Sequence, residues 1–331
     1  MTDSPLVSVV IPMVDEAGDI EVCLARVLDQ DHPRTRLEVV VIDGGSTDDS
    51  VDRAKRLLGD AGLASWQVLH NPTRTTPSSL NLGLAAAAGT VLCRVDARTL
   101  VQPDHVRRCV ERLHADPQVV VVGGSQVAVP RGPDARSLGI ARALNNHLSM
   151  GGAAYRSGGA GGPTDTVYLG AFRTDELRVA GGWDERFPTN QDFELNRRMG
   201  HIGTVWFDDG IASGYVPRAH LGGLWQQFHR FGRWKVRYWR TSGDAPVRRQ
   251  RLILALPLVP LVVGLVLLAR RPAALPAYAV AGGLALVAVD ARGAGGRPPL
   301  AVRAWASAAT ATVSAAWWLG VAREAVWPSR P

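Results

Sequence analysis

The sequence predicts an α/β domain built on a mostly parallel sheet and followed by a hydrophobic C-terminal portion. Three observations carry this. Short β-branched runs alternate with amphipathic segments through the first half of the chain. The runs are apolar on both faces, as strands covered by helices on either side must be. Three uncharged stretches, 252–269, 272–289 and 304–322, crowd the end of the 331 residues.

Taken in order, VSVVIP reads as a strand and 17–30 as a helix, then LEVVVID as a strand and 47–58 as a helix. Residues 66–69 make a third strand, 78–88 a helix, 90–95 a fourth strand and 119–129 a fifth. The glycine-rich stretch 151–163 is expected to hold no regular structure and to act as a mobile loop or linker. Farther on, 166–172 resembles a strand, 191–199 a helix, and 221–240 an amphipathic helix rich in aromatics and arginines. That helix is expected either to lie on a membrane surface or to be buried in the globular part.

Each uncharged stretch is 18 or 19 residues long. At about 1.5 Å per residue this covers about 27 Å, close to the hydrocarbon thickness of a bilayer. Three such stretches in succession predict a membrane portion at 251–331, joined by a basic linker at 221–250 to a domain at 1–220. Arg270 and Arg271 sit awkwardly between the first two, so a re-entrant hairpin stands beside a full crossing. The start, MTDSPLVSVVIPMVDE, has no basic region ahead of its apolar run and is not expected to be a signal peptide. The globular part is therefore expected in the cytoplasm, against the inner membrane. Cys23, Cys93 and Cys109 show no metal-ligand spacing and fit reduced, structural thiols.

The net charge of +7 is concentrated, since 218–251 holds nine Arg or Lys against the single acid Asp244. Placed just before the first hydrophobic stretch, this patch suits anionic membrane lipids. No nucleic-acid-binding module accompanies it, and no nucleic acid is expected as a partner.

In parallel sheets ligands collect at the carboxyl ends of strands. Acidic residues follow three successive strands here, at 13–16, 43–49 and 96–98. In VVVIDGGSTDDS, Asp43 ends a strand where Gly44 and Gly45 let the chain turn sharply, so its carboxylate either accepts hydrogen bonds from a nucleoside or serves the turn itself. In VLCRVDARTL, Asp96 emerges at the same edge and offers oxygen to Mg²⁺ or Mn²⁺ bridging a diphosphate, though Arg98 fills the position of a second acid. An arginine there neutralises phosphate directly. The alternative is an ion pair of Asp96 with Arg94 or Arg98. In FPTNQDFELNRR, Asp192 sits beside Gln191 at a helix start, either as a general base or as an acid favoured by the helix dipole.

VSVVIPMVDEAGDIEVCL, VVVIDGGSTDDS, RVDAR, YLGAFRTDEL followed by GGWDERF, NQDFELNRR and QQFHRFGRW occur in one order. Together they resemble glycosyltransferase family 2, and most of all its bacterial succinoglycan-type exopolysaccharide members. The resemblance implies a single Rossmann-like nucleotide-sugar domain of the GT-A type with inverting chemistry. It places Pro12, Asp15, Glu16 and Asp43 around the nucleoside, Asp96 at the diphosphate and metal, and Asp192 as base. Gln191, Gln227, Arg230, Arg233 and Trp234 are implied at the acceptor and diphosphate. Family sequences usually carry Asn where Asp15 stands, an acid or His where Arg98 stands, and Glu where Gln191 stands. Phe231 also replaces the tryptophan of the Gln-x-x-Arg-Trp signature, so no polymer channel is inferred.

The expected activity is transfer of a sugar from a nucleotide-sugar donor to a lipid-linked glycan. Polyprenyl phosphate as acceptor, and a non-catalytic nucleotide-sugar-binding protein, are the alternatives weighed. A nucleotide-dependent oxidoreductase is set aside because IPMVDEAGD lacks the glycine pattern of the dinucleotide turn.

Overall fold

The structure, a computed structural model, describes residues 4–147, 154–255, 258–293, 296 and 298–328. Residues 151–153 of the glycine-rich stretch and 256–257 of the first hydrophobic stretch lie outside them. The chain forms two compact units, Met1–Val127 with Gly158–Tyr215, and Ala128–Ser157 with Val216–Pro331.

The first unit opens with β1 (Val7–Met13), α1 (Ile20–Leu28), β2 (Leu37–Asp43), α2 (Ser50–Gly59), β3 (Ser65–His70), α3 (Thr76–Ala86) and β4 (Val91–Arg94). After β5 (Thr99–Val101), α4 (His105–Ala115) and β6 (Val119–Ala128), the chain enters the second unit for α5 (Ala135–Asn145) and α6 (Ala154–Ser157). It returns as β7 (Gly162–Pro163), β8 (Tyr168–Arg173), α7 (Thr174–Val179), α8 (Gln191–Met199) and β9 (Thr204–Tyr215).

The strands run in the order β3-β2-β1-β4-β8-β6-β9-β5, with β7 on β9. β3, β2, β1 and β4 are parallel; β1, β2 and β4 are covered on both faces, whereas β3 forms the more exposed edge. The rest brings antiparallel ladders: β8 lies against β4 and β6, and β9 against β5 and β7. α1, α2 and α4 bury stripes against the sheet, Ser50, Ala54 and Leu58 on α2 at intervals of four being the simplest case. With Val9, Ile11, Leu24, Val39 and Leu113 these stripes close the core.

Pro12 explains how the sheet opens. A proline deep in a sheet normally costs a ladder hydrogen bond. Here the β1 ladder to β4 ends at Val10↔Arg94, whereas the ladder to β2 runs on through Pro12↔Ile42 to Met13↔Asp43. The missing N–H falls where β4 has already left, so β1 and β4 part at their carboxyl ends.

The glycine-rich stretch departs from expectation. Its glycine-free interval Ala154–Ser157 forms α6, and Gly162 and Pro163 pair with Phe207 and Trp206 of β9.

The second unit continues with α9 (Leu221–Ser242), α10 (Arg248–Ala255), α11 (Leu258–Arg270), α12 (Leu275–Gly293) and α13 (Leu300–Val326). Two segments, Gln250–Arg270 and Pro272–Asp290, are long and apolar enough to cross a membrane, and their most apolar stretches hold no residue buried within the protein, although Gln250 and Asp290 at their ends are buried. The third stretch, 304–322, expected as a membrane helix, lies in α13, which packs on α9 and α5. Its buried stripe is mostly small, with Ala306, Ala309, Ala316 and Gly320. Small residues let backbones approach: a Cβ on Gly320 would overlap the His229 carbonyl, and one on Gly232 the Trp317 carbonyl. An uncharged sequence does not distinguish a helix facing lipid from one pressed against another helix. α9 accordingly buries Leu224, Phe228, Gly232 and Val236. The seam is closed by Glu324, 1% exposed, which accepts from Arg233 Nε at 3.0 Å and Arg237 Nε at 2.9 Å.

Candidate active site

The four parallel strands end at one rim, and the groups of interest stand on it. Asp43 is the last residue of β2 and is buried. Its Oδ2 accepts from the Gly45 N–H at 3.1 Å and its Oδ1 from the Ser46 N–H at 3.0 Å, while His70 at the end of β3 lies 3.7 Å away. Burial alone would raise the Asp43 pKa. The hydrogen bonds from Ser46, Gly45 and His70 outweigh it and hold the carboxyl below the usual carboxylate range.

Beyond β1 the chain turns through Asp15, whose φ of 51° is left-handed. Asparagine and aspartate tolerate that region better than other side-chain-bearing residues, so Asp15 suits the turn. Asp15 Oδ1 accepts from the Thr47 N–H at 2.7 Å, and its own N–H donates to Ser46 Oγ at 2.9 Å. The Glu16 N–H donates to Ser50 Oγ at 2.8 Å. The loops after β1 and β2 are thereby sewn together.

β4 delivers Arg94, Asp96 and Arg98 to the same rim. Arg98 Nε pairs with Glu16 at 3.2 Å, tying this loop to the one after β1. Arg94, whose side chain is only 7% exposed, donates from Nε to Asp96 Oδ1 at 2.8 Å and from Nη1 to Asp192 Oδ1. Burial would lower the Arg94 pKa, but Asp192 and Asp96 reverse the sign and keep the guanidinium charged. The ion pair of Asp96 with Arg94 that the sequence allowed is therefore present, with the cation buried rather than on the surface.

Asp192 is the second residue of α8, whose first turn follows Asn190 at a left-handed φ of 66°. Solvent reaches part of its side chain, 46% exposed, but the carboxyl is otherwise ringed by protein. That enclosure pushes its pKa above the usual carboxylate range; Arg94 opposes the rise, Asp96 adds to it, and Trp183 opposes it. Gln191, next to it, is buried.

The sequence reading passed over Trp183. Asn81 grips its backbone from both sides, accepting from the Trp183 N–H and donating to the Trp183 carbonyl, both at 2.8 Å, and Phe172 meets its ring edge-on at 5.5 Å. The buried indole N–H makes no hydrogen bond of ordinary geometry, and Asp192 is the carboxylate it influences. A tryptophan after two glycines reads as core, and nothing local in the sequence marks it as a neighbour of Asp192.

Among the described residues, no three acids, histidines or cysteines converge so as to hold a metal. Asp96 is a single carboxylate engaged by Arg94, and Glu16 is engaged by Arg98. Mg²⁺ and Mn²⁺ commonly rest on one or two carboxylates and complete their shell with substrate phosphates and water. Asp96 fits that mode and no protein-only cage.

In the second unit, Gln227, Arg230 and Trp234 recur at helical spacing and share one face of α9. Arg233 turns away from that face to Glu324, and Arg237 stacks 4.5 Å from the Trp234 ring centre.

Residues 8–159 match the family model described as Glycosyl transferase family 2. The succinoglycan biosynthesis protein ExoA of Rhizobium meliloti (strain 1021) is 31% identical over 250 residues, covering 75% of this chain and 74% of that protein. A dolichyl N-acetyl-α-D-glucosaminyl phosphate 3-β-D-2,3-diacetamido-2,3-dideoxy-β-D-glucuronosyltransferase of Methanococcus voltae is 25% identical, over 68% of this chain and 71% of its own length. Among solved structures, the mannosyltransferase PcManGT from Pyrobaculum calidifontis in complex with GDP-Man and Mn²⁺ superposes with a TM-score of 0.61 at 23% identity, over 99% of this chain and 89% of that one. At that identity the likeness is one of fold, the GT-A type. The order of motifs, the parallel rim and the extent of these matches make the chain a glycosyltransferase belonging to family 2.

Proposed function

We propose that this glycosyltransferase works in exopolysaccharide or other lipid-linked glycan biosynthesis, moving a sugar from a nucleotide-sugar donor to a lipid-linked glycan with inversion at the sugar carbon. Asp192 takes the proton of the acceptor hydroxyl as that oxygen attacks the face opposite the leaving diphosphate. Pro12, Asp15, Glu16 and Asp43 border the nucleoside, and Asp96 and Arg98 face the diphosphate. A Mg²⁺ or Mn²⁺ arriving with the donor would be held by Asp96 and would neutralise charge on the leaving group. Gln191 lines the acceptor side. Gln227, Arg230 and Trp234 offer a cationic and aromatic face to the phosphate of a lipid carrier, and Arg233 shapes that face from its pairing with Glu324. Gln250–Arg270 and Pro272–Asp290 seat the protein in the inner membrane, with the first unit on the cytoplasmic side.

The observation that supports this reading best is the pair Asp96 and Asp192, brought to one guanidinium at the open end of the sheet from positions far apart in the chain. The test is turnover. Full-length protein in detergent, given UDP-glucose, UDP-galactose, UDP-N-acetylglucosamine or GDP-mannose with Mn²⁺ and a membrane lipid extract, is expected to release nucleoside diphosphate from one of them. Asp192→Asn should lower that release about 10²- to 10⁴-fold. Equal release from the variant removes Asp192 from the chemistry.

A second acceptor, polyprenyl phosphate itself, is favoured by similarity to an undecaprenyl-phosphate 4-deoxy-4-formamido-L-arabinose transferase of Aeromonas hydrophila subsp. hydrophila, 32% identical over 33% of this chain. Labelled product that extracts as an acid-labile lipid with no glycan attached would select it.

A further inference from the structure

The geometry points to Arg94 as a positioning residue: one buried guanidinium, forked between Asp96 and Asp192, sets the separation and orientation of the diphosphate-side acid and the base. This rests on the reading of Asp192 as base. It goes beyond it by assigning work to a residue that neither touches the donor nor carries a transferred proton.

Arg94 is the last residue of β4, held in register opposite Val10, so its Cα belongs to the most constrained part of the sheet. Asp96 and Asp192 do not share that constraint. Asp96 lies in the turn after β4, and Asp192 is in the first turn of α8, which follows the irregular segment after α7. A planar guanidinium presents donors in fixed directions, so it dictates where both carboxylates rest. It reaches Asp96 through Nε and Asp192 through Nη1, and both bonds fall on Oδ1 atoms. For Asp192 this leaves Oδ2 as the oxygen assigned to the acceptor proton. Trp183 flanks the same carboxylate from a backbone clamped by Asn81, which limits its rotation on a second side.

A lysine at position 94 would keep the charge and lose the fork, because an ammonium is a point charge on a flexible stem. A misplacement of about 1 Å in a reacting group can cost about 10²-fold in rate. The expected signature is therefore a fall in kcat with the donor KM little changed.

The experiment uses full-length protein and the donor turned over in the screen described above. Arg94→Ala is expected to lose about 10²-fold in kcat, with donor KM within about threefold of wild type. Millimolar guanidinium chloride should restore at least about a tenth of the lost rate, and equal sodium chloride should not. Arg94→Lys should fall between the two. A folded Arg94→Ala with wild-type kcat, or one that guanidinium does not restore, overturns the proposal. If Arg94→Ala does not fold, Arg94→Lys decides: undiminished kcat overturns the proposal, and a reduced kcat at unchanged KM supports it. Asp192→Asn runs alongside with guanidinium as control. Normal turnover in that variant removes the base itself, whereas its loss beside a fully active Arg94→Ala removes only the role assigned to Arg94.

Discussion

Two arginine and carboxylate clusters in this protein are built with opposite polarity. On the sheet rim a buried cation, Arg94, holds two carboxylates that meet solvent, with Asp96 38% and Asp192 46% exposed. At the α9 and α13 seam a buried anion, Glu324, is capped by arginines that keep partial contact with water, Arg233 at 30% and Arg237 at 22%. The first arrangement leaves acids available to a ligand. The second seals its acid away and uses the arginines as a clasp, so under the proposed function the same ion-pair chemistry would serve a reaction in one place and packing in the other.

The contrast predicts a double dissociation, which is the largest effect expected. Asp192→Asn should abolish most turnover while lowering thermal stability less than Glu324→Gln does, since the buried Arg94 keeps Asp96 as a partner. Glu324→Gln should lower stability by about 2 kcal/mol, because its arginines lose the buried charge they pair with, and the loss is read from urea or thermal unfolding in detergent. A Glu324→Gln protein as stable as wild type, yet inactive, would show that the clasp belongs to the chemistry after all.

A smaller effect sharpens the packing side. Gly320→Ala forces a methyl into the α9 backbone and is expected to cost about 1–3 kcal/mol, measured the same way. Turnover per folded molecule should not change.

The smallest effect concerns Asp43. Its folded-state pKa is depressed, so its contribution is present above 3.8 and is lost as pH falls through the lower folded value. Asp43→Asn should therefore melt below wild type at neutral pH, and the gap should close as the solution is taken below pH 4. A gap independent of pH would mean that the Asp43 carboxylate contributes through shape rather than charge.

The parallel half of the sheet was legible because β1 and β2 are rich in β-branched residues and, with β4, are buried on both faces, a pattern few other structures produce. β9 was not, since Asp208, Asp209 and Gly210 interrupt any alternation along Thr204–Tyr215. Asp15, Glu16 and Asp96 announced themselves by position just past a strand, and Asp43 as the last residue of one, whereas Asp192 was marked only by its place in the first turn of a helix. The guanidinium between Asp96 and Asp192 did not announce itself: Arg94 and Asp192 are 98 residues apart, and side-chain reach across such a distance leaves no local trace. The packing of α13 was hidden for a related reason. Ala306, Ala309 and Gly320 suit a close helix contact as well as they suit lipid, and the deciding partner, α9, lies elsewhere in the chain.

The polypeptide passes between its two compact units three times, near residues 127, 157 and 215. Trimming the hydrophobic end to obtain a water-soluble fragment is thus not a clean cut. A chain stopped after Tyr215 keeps α5 but loses α13, baring the flank where Gly139 lies against Trp305 and Ala306. Such a fragment would carry a sticky stripe of its own making, and any soluble form of this enzyme has to retain α13 or replace what it covers.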